Sequence, residues 1–397
     1  MIRKLKTRAR YLIYGLMNRL IRPSRRIGEK SLLLVRIDLI GDYVLFRNFI
    51  QALKQDPQYQ GYQFTLLGNS AWRGLFEKLD AQFFEEVLWL DMERFNRGLV
   101  YRWQKLREIT RQGYEVVVSP VYSRDFWNVD SIVKLVRARE KIGSVGDLSN
   151  LTRRQKRRSD RYYTRLLPAA GEVVFEFDRN REFFQHLLNR PLPMPRPEIA
   201  VQPSGTSLDP SLAYAVFFIG GSSPSKKWGL GNFAQVGKHL IDNHGLEIVL
   251  CGAAPDRPGV EALAQDFDFS FTDLVGKTSL WELAQVIAKA NLMLSNDTMA
   301  PHLAAALGKD KVFVVYSGNY YGRCLPYPGE ISRGVQVICH PQIRRDPQAF
   351  KAASNAYGFV NRLDINRISP QSVIDEIDDV LLGQARAEAK ARRRCVA

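Results

Sequence analysis

The chain has 397 residues, 45% of them hydrophobic and 25% charged. That balance suits a globular protein with about two to three domains, each able to bury its own core, and it excludes a fibre, a disordered tail and a membrane channel. The formal net charge of +16 is the unusual quantity, and it calls for a polyanionic neighbour: nucleic acid, an anionic membrane surface or a phosphorylated substrate.

Residues 1–30 read as a basic amphipathic segment. Ile2, Leu5, Ala9, Leu12, Ile13, Leu16, Met17, Leu20 and Ile21 recur at three- and four-residue spacing, with Arg3, Lys4, Lys6, Arg8, Arg10 and Arg19 in the gaps. Such a helix lies in the headgroup layer of an acidic bilayer or packs on the body of the protein, and the pattern leaves both open. Asn18 and Arg19 break the apolar run, which argues against a secretory signal. Nothing later approaches the roughly 20 apolar residues of a spanning helix, so any membrane contact is expected to be peripheral.

From Ser31 the pattern alternates between strand and helix. Ser31 to Arg36 is a continuous apolar run of the buried parallel type, and Ile40-Gly41-Asp42 turns into a helix carrying Val44, Leu45, Phe49, Ile50 and Leu53. Further strands are predicted at 64–67, 87–90 and 116–119, so 31–190 forms a first doubly wound α/β domain. Ligands gather at the carboxyl ends of such strands, where Asp42 falls. By local pattern alone an aspartate there is a helix N-cap more often than a catalytic group. The dense run Arg153, Arg154, Lys156, Arg157, Arg158 and Arg161 reads as a solvated loop, or beside an active site as a holder of acceptor phosphates. The proline-rich stretch 191–197, followed by Pro203, reads as an extended linker, placed at 191–212.

The second domain, 213–368, repeats the layout. A strand at 215–219 runs into Gly220, Gly221, Ser222, Ser223, Lys226 and Lys227, a small-residue loop with lysines that suits a diphosphate. It is neither a Walker loop nor a dinucleotide G-x-G-x-x-G turn. A helix at 232–244, a strand at 247–252, a turn holding Asp256 and helices at 261–267 and 280–290 follow. The apolar run Leu292 to Leu294 then turns polar at Ser295-Asn296-Asp297-Thr298 before an alanine-rich helix. That order predicts strand, sharp turn and helix, with first-turn amides and His302 aimed at an anion above the strand's end. Strands at 312–316 and 335–338 complete the sheet. Ser369-Pro370 opens a helix at 373–382, and Arg386–Arg394 ends the 369–397 segment as a basic, mobile tail. The cysteines Cys251, Cys324, Cys339 and Cys395 are scattered, which predicts a reducing compartment and no zinc site.

Three blocks together resemble glycosyltransferase family 9, the heptosyltransferase group, over about 31–318. Arg36-Ile-Asp38-Leu-Ile-Gly41-Asp42-Tyr-Val-Leu45 is similar to that family's R-x-D-x-I-G-D-x-x-L signature. Lys226-Lys227-Trp228 with Phe233-Ala234 resembles its K-x-W and F-A block. Leu274 to Leu280, Asn296-Asp297-Thr298 and His302 to Gly308 resemble its nucleotide-sugar block.

The resemblance implies a GT-B fold, two Rossmann-like domains facing across a cleft, with a C-terminal helix crossing back to the first. It implies an inverting glycosyltransferase that needs no metal and no cofactor beyond its nucleotide-sugar donor. Asp42 matches the base position, and Asp38 a structural or substrate-bonding one. Ser222, Ser223, Lys226, Lys227, Asp256, Asp297, Thr298 and His302 fall to the donor and its phosphates, with Lys226 the family lysine. Arg153, Arg154, Arg157 and Arg158 belong to none of the three blocks and are expected at the acceptor by their charge alone. The family analogy favours ADP-heptose and a lipopolysaccharide core on the cytoplasmic face of the inner membrane. Other hexose donors and polysaccharide acceptors stay open, and nucleic acid is not expected. One departure stands out. Met299 occupies the position after Asp-Thr where the family carries glycine, which keeps open a catalytically impaired GT-B protein that binds glycan or anionic membrane without turnover.

Overall fold

The computed structural model describes residues 2–202, 208–209, 211–266 and 269–395, and side chains for all of these except 2–9, 262–266 and 384–395. Part of the expected linker, Pro203 to Gly205, lies outside the described residues. So does Phe267, the expected end of the helix from Glu261. The chain divides into two compact units. The first runs up to Met194 and takes in Ala352–Phe359; the second holds Pro195–Lys351 and the chain from Val360 onward.

The first unit carries β1 (Ser31–Arg36), β2 (Gln63–Asn69), β3 (Glu86–Leu90), β4 (Tyr114–Ser119), β5 (Ala138–Ser144) and β6 (Arg165–Leu167) in the order β3-β2-β1-β4-β5-β6. Every pairing is parallel. The second carries β7 (Tyr214–Phe218), β8 (Glu247–Cys251), β9 (Thr272–Asp273), β10 (Leu292–Asn296), β11 (Val312–Tyr316) and β12 (Val335–Cys339) in the order β12-β11-β10-β7-β8-β9. These too are all parallel. Each sheet is therefore the same doubly wound Rossmann-like arrangement, whose strand order reverses beside its first strand. That switch point lies between β1 and β4 in one unit and between β7 and β10 in the other, and it is where such sheets open a crevice at their carboxyl edge.

Apolar runs buried on both faces make the central strands. Leu32 to Val35 and Leu292 to Leu294 have no exposed surface. β5 and β6 escaped the sequence pattern. Arg139, Glu140 and Lys141 interrupt the first with charge, and the second is a three-residue strand at the sheet edge.

Two further expectations are corrected. The run 153–159 is a helix, Arg153–Ser159, because Thr152 and Gln155 cap it reciprocally: the Gln155 N–H donates to Thr152 Oγ1 and the Thr152 N–H to Gln155 Oε1. The C-terminal helix extends over Pro370–Cys395, so Arg386–Arg394 is helical rather than a loose tail, as its alanine, arginine, glutamate and lysine content favours. Its Val373 and Ile377 lie in the second unit's own core.

Candidate functional site

The second unit's switch point is organised by a buried amide. Asn296, at the end of β10, donates from Nδ2 to the carbonyls of Ile219 (2.8 Å) and Gly220 (3.1 Å) and accepts the Trp228 N–H at Oδ1 (3.0 Å). One side chain thus ties the end of β10 to both ends of the loop after β7. The Trp228 indole N–H donates to the Ile368 carbonyl at 2.9 Å, and its ring packs on Phe233 at 5.2 Å. The tryptophan and phenylalanine of the Lys226-to-Ala234 block are therefore core pieces that fix where Lys226 projects.

Lys226 Nζ lies 2.7 Å from Asp297 Oδ2, both side chains largely buried. Burial disfavours the ammonium, but Asp297 outweighs burial and holds Lys226 above its ordinary value, so it stays charged. Lys227 takes a separate partner, Asp256 Oδ1. Asp256 in turn accepts the Ala253 N–H at Oδ2 (3.0 Å). A Cβ on Gly220 would meet that same oxygen at 2.6 Å, so a glycine is needed there to admit the carboxylate. Ser222 is exposed, and Ser223 Oγ shares a hydrogen bond with Ser225 Oγ at 3.0 Å.

Thr298 Oγ1 accepts the Ala300 N–H (3.2 Å) at the start of the helix Ala300–Ala306. Met299 sits there with φ −71° and ψ −24°, a right-handed conformation open to any residue, so the departure from glycine brings no backbone strain. His302 is buried, with Nδ1 2.8 Å from the Tyr327 hydroxyl. Burial, and then Lys226, push the imidazole down to about 4, so it is neutral at physiological pH. Lys226, Asp297, Thr298 and His302 thus share the crest between β7 and β10. Neither Asn296 nor Tyr327 was assigned a role from sequence. Asn296 stood in a quoted motif without one, and nothing in the local pattern around Tyr327 points to His302.

In the first unit the equivalent crest is rich in carboxylates. Arg36 is buried and bonded to Asp38 (3.1 Å), Glu176 (3.2 Å) and Asn180 Oδ1 (3.1 Å), with its guanidinium over the Phe46 ring. Burial raises the Asp38 carboxyl, Arg36 opposes that, and Glu176 and Asp125 add to it. Asp42 is the third residue of the helix Ile40–Phe46 and accepts the Leu39 N–H at Oδ2 (3.1 Å). The helix's N-cap is therefore Leu39 and not Asp42, as the local pattern had it; Asp42 stands three residues on and reaches back to the N-cap's own N–H. Behind it Tyr43 and Arg47 both bond Asp80, and Tyr43 stacks on Trp72 at 4.5 Å, which fixes that helix on the sheet. Arg153, Arg154, Arg157 and Arg158 are exposed on their own helix.

Among the described residues His239, His244 and Asp378 also cluster, both Nε2 atoms bonded to Asp378 Oδ1 at 2.9 and 2.7 Å. That cluster joins the helix Leu230–His244 to the C-terminal helix, and no residue of the β7–β10 crest takes part in it.

Two Rossmann-like units with one shared strand order, the second bearing a cationic switch-point loop, define a GT-B type of protein. The chain belongs to glycosyltransferase family 9, the heptosyltransferase family, whose model matches residues 103–330. It is 31% identical over 169 residues to lipopolysaccharide heptosyltransferase 1 of Salmonella typhimurium, covering 42% of this chain and 50% of that one. The chain spans about half the length of the curated relatives it matches. Among solved structures it resembles a family 9 glycosyl transferase of Veillonella parvula, with TM-score 0.67 and 16% identity over 90% of this chain and 98% of that one. It also resembles the E. coli heptosyltransferase WaaC with ADP-2-deoxy-2-fluoro heptose, with TM-score 0.64 and 19% identity over 88% and 99%. At these identities the structural likeness speaks for the fold. Among the described residues no helix is long and apolar enough to cross a membrane.

Proposed function

We propose that this protein is an inverting, metal-independent glycosyltransferase. It moves a heptose or related sugar from a nucleotide-diphosphate donor to a lipopolysaccharide-core or other cell-surface glycan acceptor, at the cytoplasmic face of the inner membrane. The observation that carries the reading is the buried, charged Lys226 at the β7–β10 switch point, beside Asp297, Thr298 and His302.

In this mechanism the Asp42 carboxylate takes the proton from the acceptor hydroxyl. The hydroxyl oxygen forms a bond to the anomeric carbon from the face opposite the diphosphate, and the bond from that carbon to the phosphate oxygen breaks. Negative charge grows on the departing nucleoside diphosphate, and the Lys226 ammonium and Thr298 hydroxyl meet it. The neutral His302 ring, its Nδ1 2.8 Å from the Tyr327 hydroxyl, stands beside the diphosphate as a further polar group. Lys227 and Asp256 border the donor, with Ser222 and Ser223 on the loop between. Asp38 bonds substrate or orders the crest, and the arginines of 153–158 meet anionic groups of the acceptor.

Solved WaaC holds an ADP sugar, so ADP-heptose is the first donor to try. The test is mass spectrometry of a heptose-deficient lipopolysaccharide core incubated with enzyme and donor. The proposal predicts a gain of one sugar per acceptor. If neither ADP-heptose nor any other nucleotide sugar modifies any core or other cell-surface glycan acceptor, turnover is ruled out and the protein is a binding relic.

A further inference from the structure

The N-terminal helix Ile2–Leu20 is anchored on one face and open on another. Tyr14 is buried and its hydroxyl donates to the Asn96 carbonyl at 2.6 Å; Asn18 Nδ2 donates to Ser131 Oγ at 2.6 Å. Tyr11 stacks on Trp127 at 4.8 Å with planes 4° apart, Met17 packs on the core, and Ile21 is buried just beyond the helix. Leu12, Leu16 and Leu20 form an i, i+4, i+8 stripe roughly 150° around the helix from that anchored face. Their exposures are 71%, 58% and 68%, and Ile13 beside them is 41% exposed. A helix that needed only to pack would not place its leucines in water.

The charge around the stripe says what covers it. Residues 1–28 contain nine arginines and lysines and no acidic residue. Arg10, Arg19, Arg22, Arg25 and Arg26 are exposed. The positive field continues onto neighbouring elements. Trp127 packs on Phe126 at 5.0 Å, Arg158 lies over Phe126 at 5.9 Å, and Lys134 lies over Tyr162 at 5.4 Å. Burial, then Arg158 and Arg19, hold the Lys134 ammonium below its ordinary value. Arg19 and Arg158, each from another helix, thus act on the Lys134 ammonium.

We infer that this face is a docking surface for an anionic phospholipid bilayer, with Leu12, Leu16 and Leu20 inserted below the headgroups and the arginines on lipid phosphates. This deepens the membrane association proposed above by assigning it to a surface. It also resolves the two roles left open by the amphipathic pattern, because the helix performs both with different faces.

The test is co-sedimentation of the full chain with vesicles of phosphatidylcholine alone or mixed with phosphatidylglycerol. Binding is expected only with phosphatidylglycerol, and high salt should weaken it. The triple variant Leu12→Asn, Leu16→Asn, Leu20→Asn should partition at least tenfold less, with unchanged melting temperature. Arg19→Glu with Arg22→Glu should do the same through charge. The inference is overturned by absence of binding to the anionic vesicles, by equal binding of wild type and both variants, or by a wild-type dimer that the leucine variant converts to monomer. The last outcome would mean a second copy covers the stripe. Calorimetric ADP affinity of the same variants, read without vesicles, should not change, so a failure of this surface is distinguishable from a failure of the proposed transferase site.

Discussion

The two switch points share one strand order and carry opposite chemistry. Beside β1 a single buried arginine, Arg36, sits among Asp38 and Glu176, with Asp42 and Asp125 close enough to act on the same charges. Beside β7 two lysines each hold one aspartate, and a neutral imidazole completes the crest. The backbone thus supplies two equivalent platforms, and the side chains at the strand ends decide the task. Carboxylates in excess suit proton removal, and a cation held charged in a buried place, as Lys226 is, suits a leaving diphosphate.

Asp42→Ala should break the acidic half most severely. Sugar transfer should fall by about 10²–10⁴-fold, with the lost cap costing only about 1 kcal/mol of stability. If Asp38→Ala instead abolished transfer while Asp42→Ala kept it, the proton would belong to the carboxylate that burial raises. Lys226→Ala should break the cationic half. ADP affinity, read by calorimetry, should drop by about one to two orders of magnitude. Stability should fall by roughly 3–5 kcal/mol in a denaturant titration, because Asp297 is left buried without its cation. A Lys226 variant of unchanged stability and affinity would remove that pair from the account.

His302 sharpens the comparison through pH. Its folded value, about 4, lies below the ordinary 6.5, so the unfolded chain takes up a proton that the folded chain refuses. Stability from this group is fully present above about pH 6.5 and is lost as pH falls toward about 4. The total is roughly 3 kcal/mol. His302→Gln should flatten that acid limb, and an unflattened limb would place the proton elsewhere. The smallest effect belongs to Asn296→Ala, which should cost about 1–3 kcal/mol by leaving the Ile219 and Gly220 carbonyls and the Trp228 N–H without their shared amide, and should weaken ADP binding through the loosened loop.

Much of this was legible in the chain. The apolar runs that became β1, β4, β7, β10 and β11 are central strands, where burial on both faces writes a continuous hydrophobic signal. β5 escaped because charge breaks its pattern, and β6 because three residues carry no period. The helix 153–159 escaped because seven polar residues outweighed one capping box. The site was legible as residue types in order, Lys226 before Asp297 before His302. The pairing was not, because which lysine takes which aspartate depends on Asn296 drawing the two loops together across 76 residues. The amphipathic pattern of the first 21 residues likewise could not say that its apolar residues divide between two faces. Only the positions of Trp127, Ser131 and Asn96 decide which side is anchored.

The division of labour between the two crests is tested most directly by calorimetric titration of ADP into wild type, Lys226→Ala and Asp42→Ala proteins. The account predicts saturable one-site binding to wild type, the same affinity within about twofold for Asp42→Ala, and a loss of at least tenfold for Lys226→Ala. Binding that is indifferent to Lys226, or lost with Asp42, would contradict it.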